Sequence, residues 1–316
     1  MSAGRRSDDV AGSDGAGTSL APGDGDDGTR TDGGYVSGQH LPTSGRTGRP
    51  GRTVLALAAT EYRLAMRGRW AIALTGLFAI FTLGLLTFSG AEVGPEGYDR
   101  TVASVAALAV YLVPLAAIAF GYDAVVGAEE TGWLQALFAQ PVRRGSIVLG
   151  TFAGRAVVLA GAVIVGFGAP GLFVLQEFGV AGWPTYVGFV LATVALALAF
   201  LALGVLVSTL APGKTLALGL ALLAWAWFVL VHDLLALGLI AAFGLPDAAI
   251  TAMVLSNPTG VFRVLVLSGL GAAGEAGFAA IHAAAPVSPA VLVATLLAWI
   301  ALPVTVAAVA LRRRRI

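Results

Sequence analysis

The sequence predicts an all-α, polytopic membrane protein. Hydrophobic residues make up 57% of the 316 positions and charged ones 12%, where a soluble domain carries about a quarter charged. Six apolar runs are each long enough to cross ~30 Å of hydrocarbon at ~1.5 Å per residue. Basic residues gather at alternate ends of those runs, as expected when loops on one side of a membrane retain arginine.

Residues 1–52 stand apart. "RRSDDVAGSDGAGTSLAPGDGDDGTRTDGG" holds almost no large apolar side chains and cannot bury enough surface to offset its ordering entropy. It reads as a disordered cytosolic tail. Its early arginines are not followed by the apolar run of a signal peptide. Residues 53–316 form the membrane domain.

That domain opens with residues 53–69, "TVLALAATEYRLAMRGR". On a helix, Val54, Leu55, Ala58, Tyr62, Ala65 and Met66 share one side, with Glu61, Arg63 and Arg67 off that stripe. The pattern is that of a helix lying in the membrane surface. The spans are expected at Trp70–Ser89, Val102–Tyr122, Ile147–Ala169, Thr185–Leu210, Leu216–Phe243 and Pro289–Leu311. Arg63, Arg67 and Arg69 precede the first; Arg143, Arg144 and Arg155 surround the start of the third. Lys214 lies between the fourth and fifth, and Arg312 to Arg315 close the sixth. The other loops hold only Arg100 and Arg263, so both termini are expected on the cytoplasmic side of the plasma membrane. The outer connection, 244–288, contains "VFRVLVLSGLGAAG", too short and glycine-rich to span, and is expected to be re-entrant or surface-lying.

Between the second and third spans lies "EETGWLQALFAQPVRRG", residues 129–145. A helix over about 128–142 would align Trp133, Leu134, Leu137, Phe138 and Pro141 in one apolar stripe. Glu129 and Glu130 would suit its N-terminus and Arg143 and Arg144 its C-terminal side, with Pro141 as the stop. Such a face needs a cover, either lipid headgroups or a protein partner.

Here the sequence resembles a known family. "GYDAVVGAEETGWLQALFAQPVRRGSIVLGTFAGR" is similar to the intracellular segment of ABC-2 type permeases, nearest the NosY-type permeases associated with multicopper enzyme maturation. The likeness extends to "EYRLAMRGRW", "VHDLLALGL" and "LSNPTGVFRVL". One departure is Thr151, where such permeases usually carry Lys. The resemblance implies that the helix at 128–142 is a coupling helix docking into a separate ATPase subunit. Glu129, Glu130, Trp133, Leu134, Leu137, Phe138, Pro141, Arg143 and Arg144 would make that contact. It also implies a homodimer with ATP and Mg held by the partner ATPase, and an extracytoplasmic partner at the outer connection.

The remaining motifs have plainer readings. "APGKT", residues 211–215, is not a phosphate loop, because the pattern needs glycine where Ser208 stands. His232 and Asp233 are intramembrane polar candidates near the outer end of the fifth span, reaching headgroups, a partner side chain or a transport path. Gly150 and Gly154 form a small-xxx-small pair for close helix packing, within the chain or across a dimer. Pro303 marks an expected kink, and Asp123 could anchor the coupling loop through an arginine. The chain has no cysteine, and its histidines, His40, His232 and His282, are scattered, so no metal site is expected. No catalytic constellation is present, no cofactor is expected on this chain, and no nucleic-acid partner is expected. The expected function is a non-catalytic permease subunit. The alternatives are an ABC-2 exporter of drugs, lipids or polysaccharide, or a secondary transporter without an ATPase, which would show inverted repeats and midplane ionisable residues.

Overall fold

The computed structural model describes residues 50–88, 95–134, 142–269 and 287–313, and these are helices joined by short connections, with no strand among them. The expected tail lies almost wholly outside the described residues.

Helix α1, Pro50–Arg67, and α2, Trp70–Phe88, meet at a 64° bend. The turn falls on Gly68 and Arg69, and Arg69 adopts φ +60°, a conformation uncommon outside glycine. The bend occurs where the amphipathic stripe gives way to uninterrupted apolar sequence. Helix α3, Pro95–Gly121, is followed after a short break by α4, Val126–Glu130. Helix α5, Arg144–Phe178, a single 3-10 turn at Val180–Gly182 and α6, Trp183–Leu210, come next. Helix α7, Lys214–Ala226, continues through a π-helical turn, Trp227–Val231, into α8, His232–Phe243. Helices α9, Asp247–Leu255, and α10, Pro258–Gly269, are bent by 109°. Helix α11, Pro289–Arg313, carries Pro303 inside it.

Among the described residues, five helical runs are long and apolar enough to cross a membrane: Thr101–Glu130, Arg144–Leu172, Trp183–Leu210, Lys214–Phe243 and Pro289–Arg313. The bent pairs α1–α2 and α9–α10 raise the count to seven at most. The first expected span is therefore one arm of a bent pair, and the outer connection contains a second.

Helix α6 is the centre. Leu196, Phe200, Leu201 and Val205 have no exposed surface, and 67% of its crossing window is buried, against 17% for α7–α8. A helix apolar all round must be enclosed by others, and α3, α5, α10 and α11 pack around this one. Its crossing with α3 is backbone on backbone: a Cβ on Gly204 would lie 3.1 Å from the Cα of Gly121.

Gly150 and Gly154 pack within the chain, against α1. A Cβ at Gly150 would meet Leu57 Cβ at 2.5 Å, and one at Gly154 would meet the Ala58 carbonyl oxygen at 2.5 Å. Only glycine lets the two backbones approach so closely. Gly154→Leu is expected to displace α1 and cost about 1–3 kcal/mol through overpacking. The measurement is the melting temperature of the detergent-solubilised protein; an unchanged value would mean that α1 does not lie on this face of α5.

Candidate functional site at the basic end of the bundle

The basic segments separated in sequence converge at one end of the helices. The Arg312 guanidinium lies close over Gly145. Arg155, Lys214 and Glu61 of α1 gather beneath the segment that begins with α4.

That segment is held by the chain around it. Helix α3 ends at Gly121, and α4 starts five residues later without a cap of its own. The unpaired amides of Val125 and Val126 instead donate to the buried Ser208 hydroxyl, at 2.9 and 3.1 Å. Orphan N–H groups at a helix start need such an acceptor, and the last turn of α6 supplies it. Farther along, Glu130 accepts the backbone N–H of Lys214 at 2.8 Å, placing a carboxylate at the positive end of α7. Gly132 takes φ +74°, a left-handed conformation that closes α4. The helix expected from residue 128 is therefore interrupted. Glu129 and Glu130 end α4, and helical geometry resumes at Trp133 and Leu134.

Four elements contribute charges beneath this segment. Arg155, from α5, donates through Nη1 to Asp123 Oδ1 at 2.8 Å and to the Phe120 carbonyl. Its Nε lies 3.5 Å from Glu61 Oε2 on α1, and its guanidinium sits 5.4 Å from the Phe120 ring centre. Lys214 Nζ is 3.7 Å from Asp123 Oδ2 and 5.9 Å from the Tyr122 ring centre. Asp123 is thus anchored by an arginine and also by the chain's one lysine. A cleft of about 580 Å³ opens beside the cluster, bordered by Leu64, Trp70 and Trp133.

Burial pushes the Glu61 carboxyl above its ordinary value of 4.5 and nearby Asp123 adds to the rise, against the opposing pull of Arg155 and a hydrogen bond from Thr151. Desolvation of the charged form wins. Thr151, where the resembling permeases usually carry Lys, offers Glu61 a hydroxyl and no compensating charge.

Of the other residues singled out in the sequence, Trp133 is half exposed and Leu134 is buried, with Leu57, Ala124 and Ile147 around it. Arg143 is exposed and Arg144 half-buried. Leu137, Phe138 and Pro141 lie outside the described residues. His232 and Asp233 belong to a second group at the opposite end. There the buried Asp233 receives the Arg263 guanidinium of α10, with His232 Nδ1 3.7 Å from its carboxylate. Arg155, Glu61 and Ser208 had no assigned part in the segment's anchorage. The signal for Arg155 was available: an arginine well inside an apolar run calls for a partner.

Comparison with known proteins bears on the same residues. The sequence profile of the ABC-2 family transporter proteins matches residues 55–316. The chain is 37% identical over 269 residues to the probable ABC transporter permease protein NosY of Stutzerimonas stutzeri, covering 82% of this chain and 97% of that one. It is 35% identical over 272 residues to the probable ABC transporter permease protein NosY of Pseudomonas aeruginosa, covering 83% and 99%.

The chain belongs to the ABC-2 transporter family. It is a membrane permease, and the charged cluster lies within the stretch that the family profile spans. Among the described residues, no three His, Asp or Glu side chains converge as a metal site would require.

Because Glu61 holds its proton more tightly in the folded chain, its contribution to stability is fully present below the ordinary carboxylate range. It is lost as pH rises through the raised folded value. Glu61→Gln is expected to flatten the fall in melting temperature between pH 5 and pH 8, with the variant gaining on wild type toward the alkaline end. Parallel curves for the two proteins would show that Glu61 is not buried as described.

Proposed function

We propose that this ABC-2 permease is the six-span membrane subunit of a complex whose ATP hydrolysis takes place on a separate, cytoplasmic ATPase. In this reading both termini face the cytoplasm, α1 lies in the membrane surface, and two copies form the translocation unit. The segment around Trp133 docks on the ATPase.

The observation that carries the proposal is the anchorage of that segment. It is tied to α6 through Ser208, to α7 through Glu130 and Lys214, and to α5 and α1 through Asp123, Arg155 and Glu61. A docking element fastened to four membrane helices transmits displacement as rigid-body motion rather than absorbing it. The half-exposed Trp133 supplies an aromatic anchor of the kind that dominates interfaces, while Leu134 seats the same turn inward. Phe138, Leu137, Pro141, Arg143 and Arg144 extend the surface, and Glu129 and Glu130 border it. ATP and Mg are held by the partner. The work done is export, or mechanical action on an extracytoplasmic partner at residues 244–288. The resemblance to NosY-type permeases favours the setting of multicopper enzyme maturation.

Co-purification with the ATPase encoded beside it tests this. Wild type is expected to retain the ATPase in detergent, and Trp133→Asp combined with Phe138→Asp to retain at least about tenfold less, a loss of ~1.4 kcal/mol or more, at unchanged melting temperature. Equal retention by the variant would sink the docking assignment. Failure of wild type to retain any ATPase, with or without nucleotide, would favour a secondary transporter.

A further inference from the structure

The fifth crossing is not a continuous α-helix. Between α7 and α8 the five residues Trp227–Val231 form a π-helical turn, in which the repeat lengthens from four residues to five. Phe228 and Asp233 are five apart, so the wide turn brings the carbonyl of one and the carboxylate of the other to the same side. Asn257 faces both.

Asn257 has no exposed surface and sits at the 109° bend between α9 and α10. The two ends of its amide do different things. Oδ1 accepts the backbone N–H of Thr259 at 3.0 Å and its hydroxyl at 2.9 Å, which caps the start of α10. Nδ2 shares its two hydrogens among three acceptors, the Phe228 carbonyl at 2.9 Å, Asp233 Oδ1 at 3.1 Å and His232 Nδ1 at 3.1 Å.

The surrounding groups complete the network. Ser256 gives its hydroxyl proton to the Met253 carbonyl at 2.8 Å, so at 3.1 Å it accepts from His232 Nε2. In the tautomer with its proton on Nε2, the ring offers Nδ1 as an acceptor facing Asn257. Arg263 donates to the second Asp233 oxygen, and the one Thr259 hydroxyl proton lies between Asn257 Oδ1 and the Phe228 carbonyl, within reach of either. Among the described residues, no buried side-chain nitrogen or oxygen lacks a partner. A fully satisfied buried network is rigid, and this one grips the π-turn from both sides of the α9–α10 bend.

We propose that Asn257 is a positioning residue that clamps the α9–α10 pair to the π-turn, so that the pair and the fifth crossing move as one body during the transport cycle. The chemistry requires an amide. Aspartate is as good a helix cap, but it replaces the donor by a second carboxylate oxygen facing Asp233 and the Phe228 carbonyl. Asn257→Asp therefore keeps the cap and reverses the clamp, and Asn257→Ser keeps a cap without the paired donors.

The nucleotide arm of the test rests on the function proposed above; the comparison of variants without nucleotide does not. Because the chain has no cysteine, spin labels can be placed at the exposed positions Leu223→Cys on α7 and Ala252→Cys on α9, on either side of the π-turn. Pulsed electron resonance on the full chain in nanodiscs, diluted with unlabelled chain so that the pair within one protomer dominates, is expected to give wild type a single narrow distance, unchanged between nucleotide-free and ATP-trapped complex. Asn257→Asp is expected to broaden it at least about twofold as alternative poses become populated, at a retained elution volume. Should Asn257→Asp fail to fold, Asn257→Ser is expected to broaden it as well. A wild-type distance that shifts with nucleotide overturns the clamp. So does a folded variant whose distribution superimposes on wild type. Loss of ATPase capture with the variant broadening intact would count against the complex and not against the clamp.

Discussion

One guanidinium holds the basic end together. Arg155 enters on an otherwise apolar helix and arrives beside two carboxylates, a backbone carbonyl and an aromatic ring, each from a neighbouring element. Desolvating a carboxylate costs roughly several kcal/mol unless a partner compensates, and at Glu61 the pull of Arg155 opposes that cost without cancelling it. Arg155 gives the glutamate that α1 lays against α5 its charged partner. The glycine contacts at Gly150 and Gly154 then fix how close α1 comes. The seat of α1, the cleft beside Trp70 and Trp133 and the direction in which the following segment leaves α3 all depend on that arrangement.

Both ends of the molecule meet the same constraint in different ways. A helix interrupted at membrane depth frees backbone groups that lipid cannot satisfy, so the protein must satisfy them itself. At the basic end the break after Gly121 frees amides, and a hydroxyl acceptor, Ser208, takes them. At the other end the π-turn presents a carbonyl, and a donor amide, Asn257, takes it. Each capping residue belongs to a distant part of the sequence, so each break doubles as a joint between helices.

The sequence carried the parts of this that are periodic or compositional. Apolar runs and arginine placement are properties of a single stretch, and they located α5, α6, α7–α8 and α11. The amphipathic stripe before Trp70 likewise marked α1. What was not legible depended on pairs. Gly121 and Gly204 touch across 82 intervening positions, and neither alone differs from any other glycine in a span. Gly150 and Gly154 announced close packing but not that α1 would fill it. The bend at Gly68 and Arg69 rests on a positive φ at an arginine, which no propensity favours. Gly132 was visible, yet the stripe from Trp133 onward masked its capacity to stop α4. His232 and Asp233 stood out as polar residues in an apolar run, but their partners lie on α9, α10 and the bend between them.

The two joints share one element. Lys214, the first residue of the α7–α8 crossing, is held by Glu130 and Asp123 in the basic cluster. Asp233 lies 19 residues later, ~28 Å along a helix axis, and is held by Arg263 and Asn257. The same crossing is the least enclosed of the five, with only 17% of its window buried. A helix gripped at both ends and sparsely packed along its length can shift lengthwise or tilt without repacking the core around α6. The central helices resist such motion, because close-packed interiors deform little. Displacement imposed at the segment beneath Trp133 therefore has a direct mechanical route to the α9–α10 pair, through a strut held at both joints and, between them, by the Trp225 indole donating to the Tyr111 carbonyl at 3.2 Å.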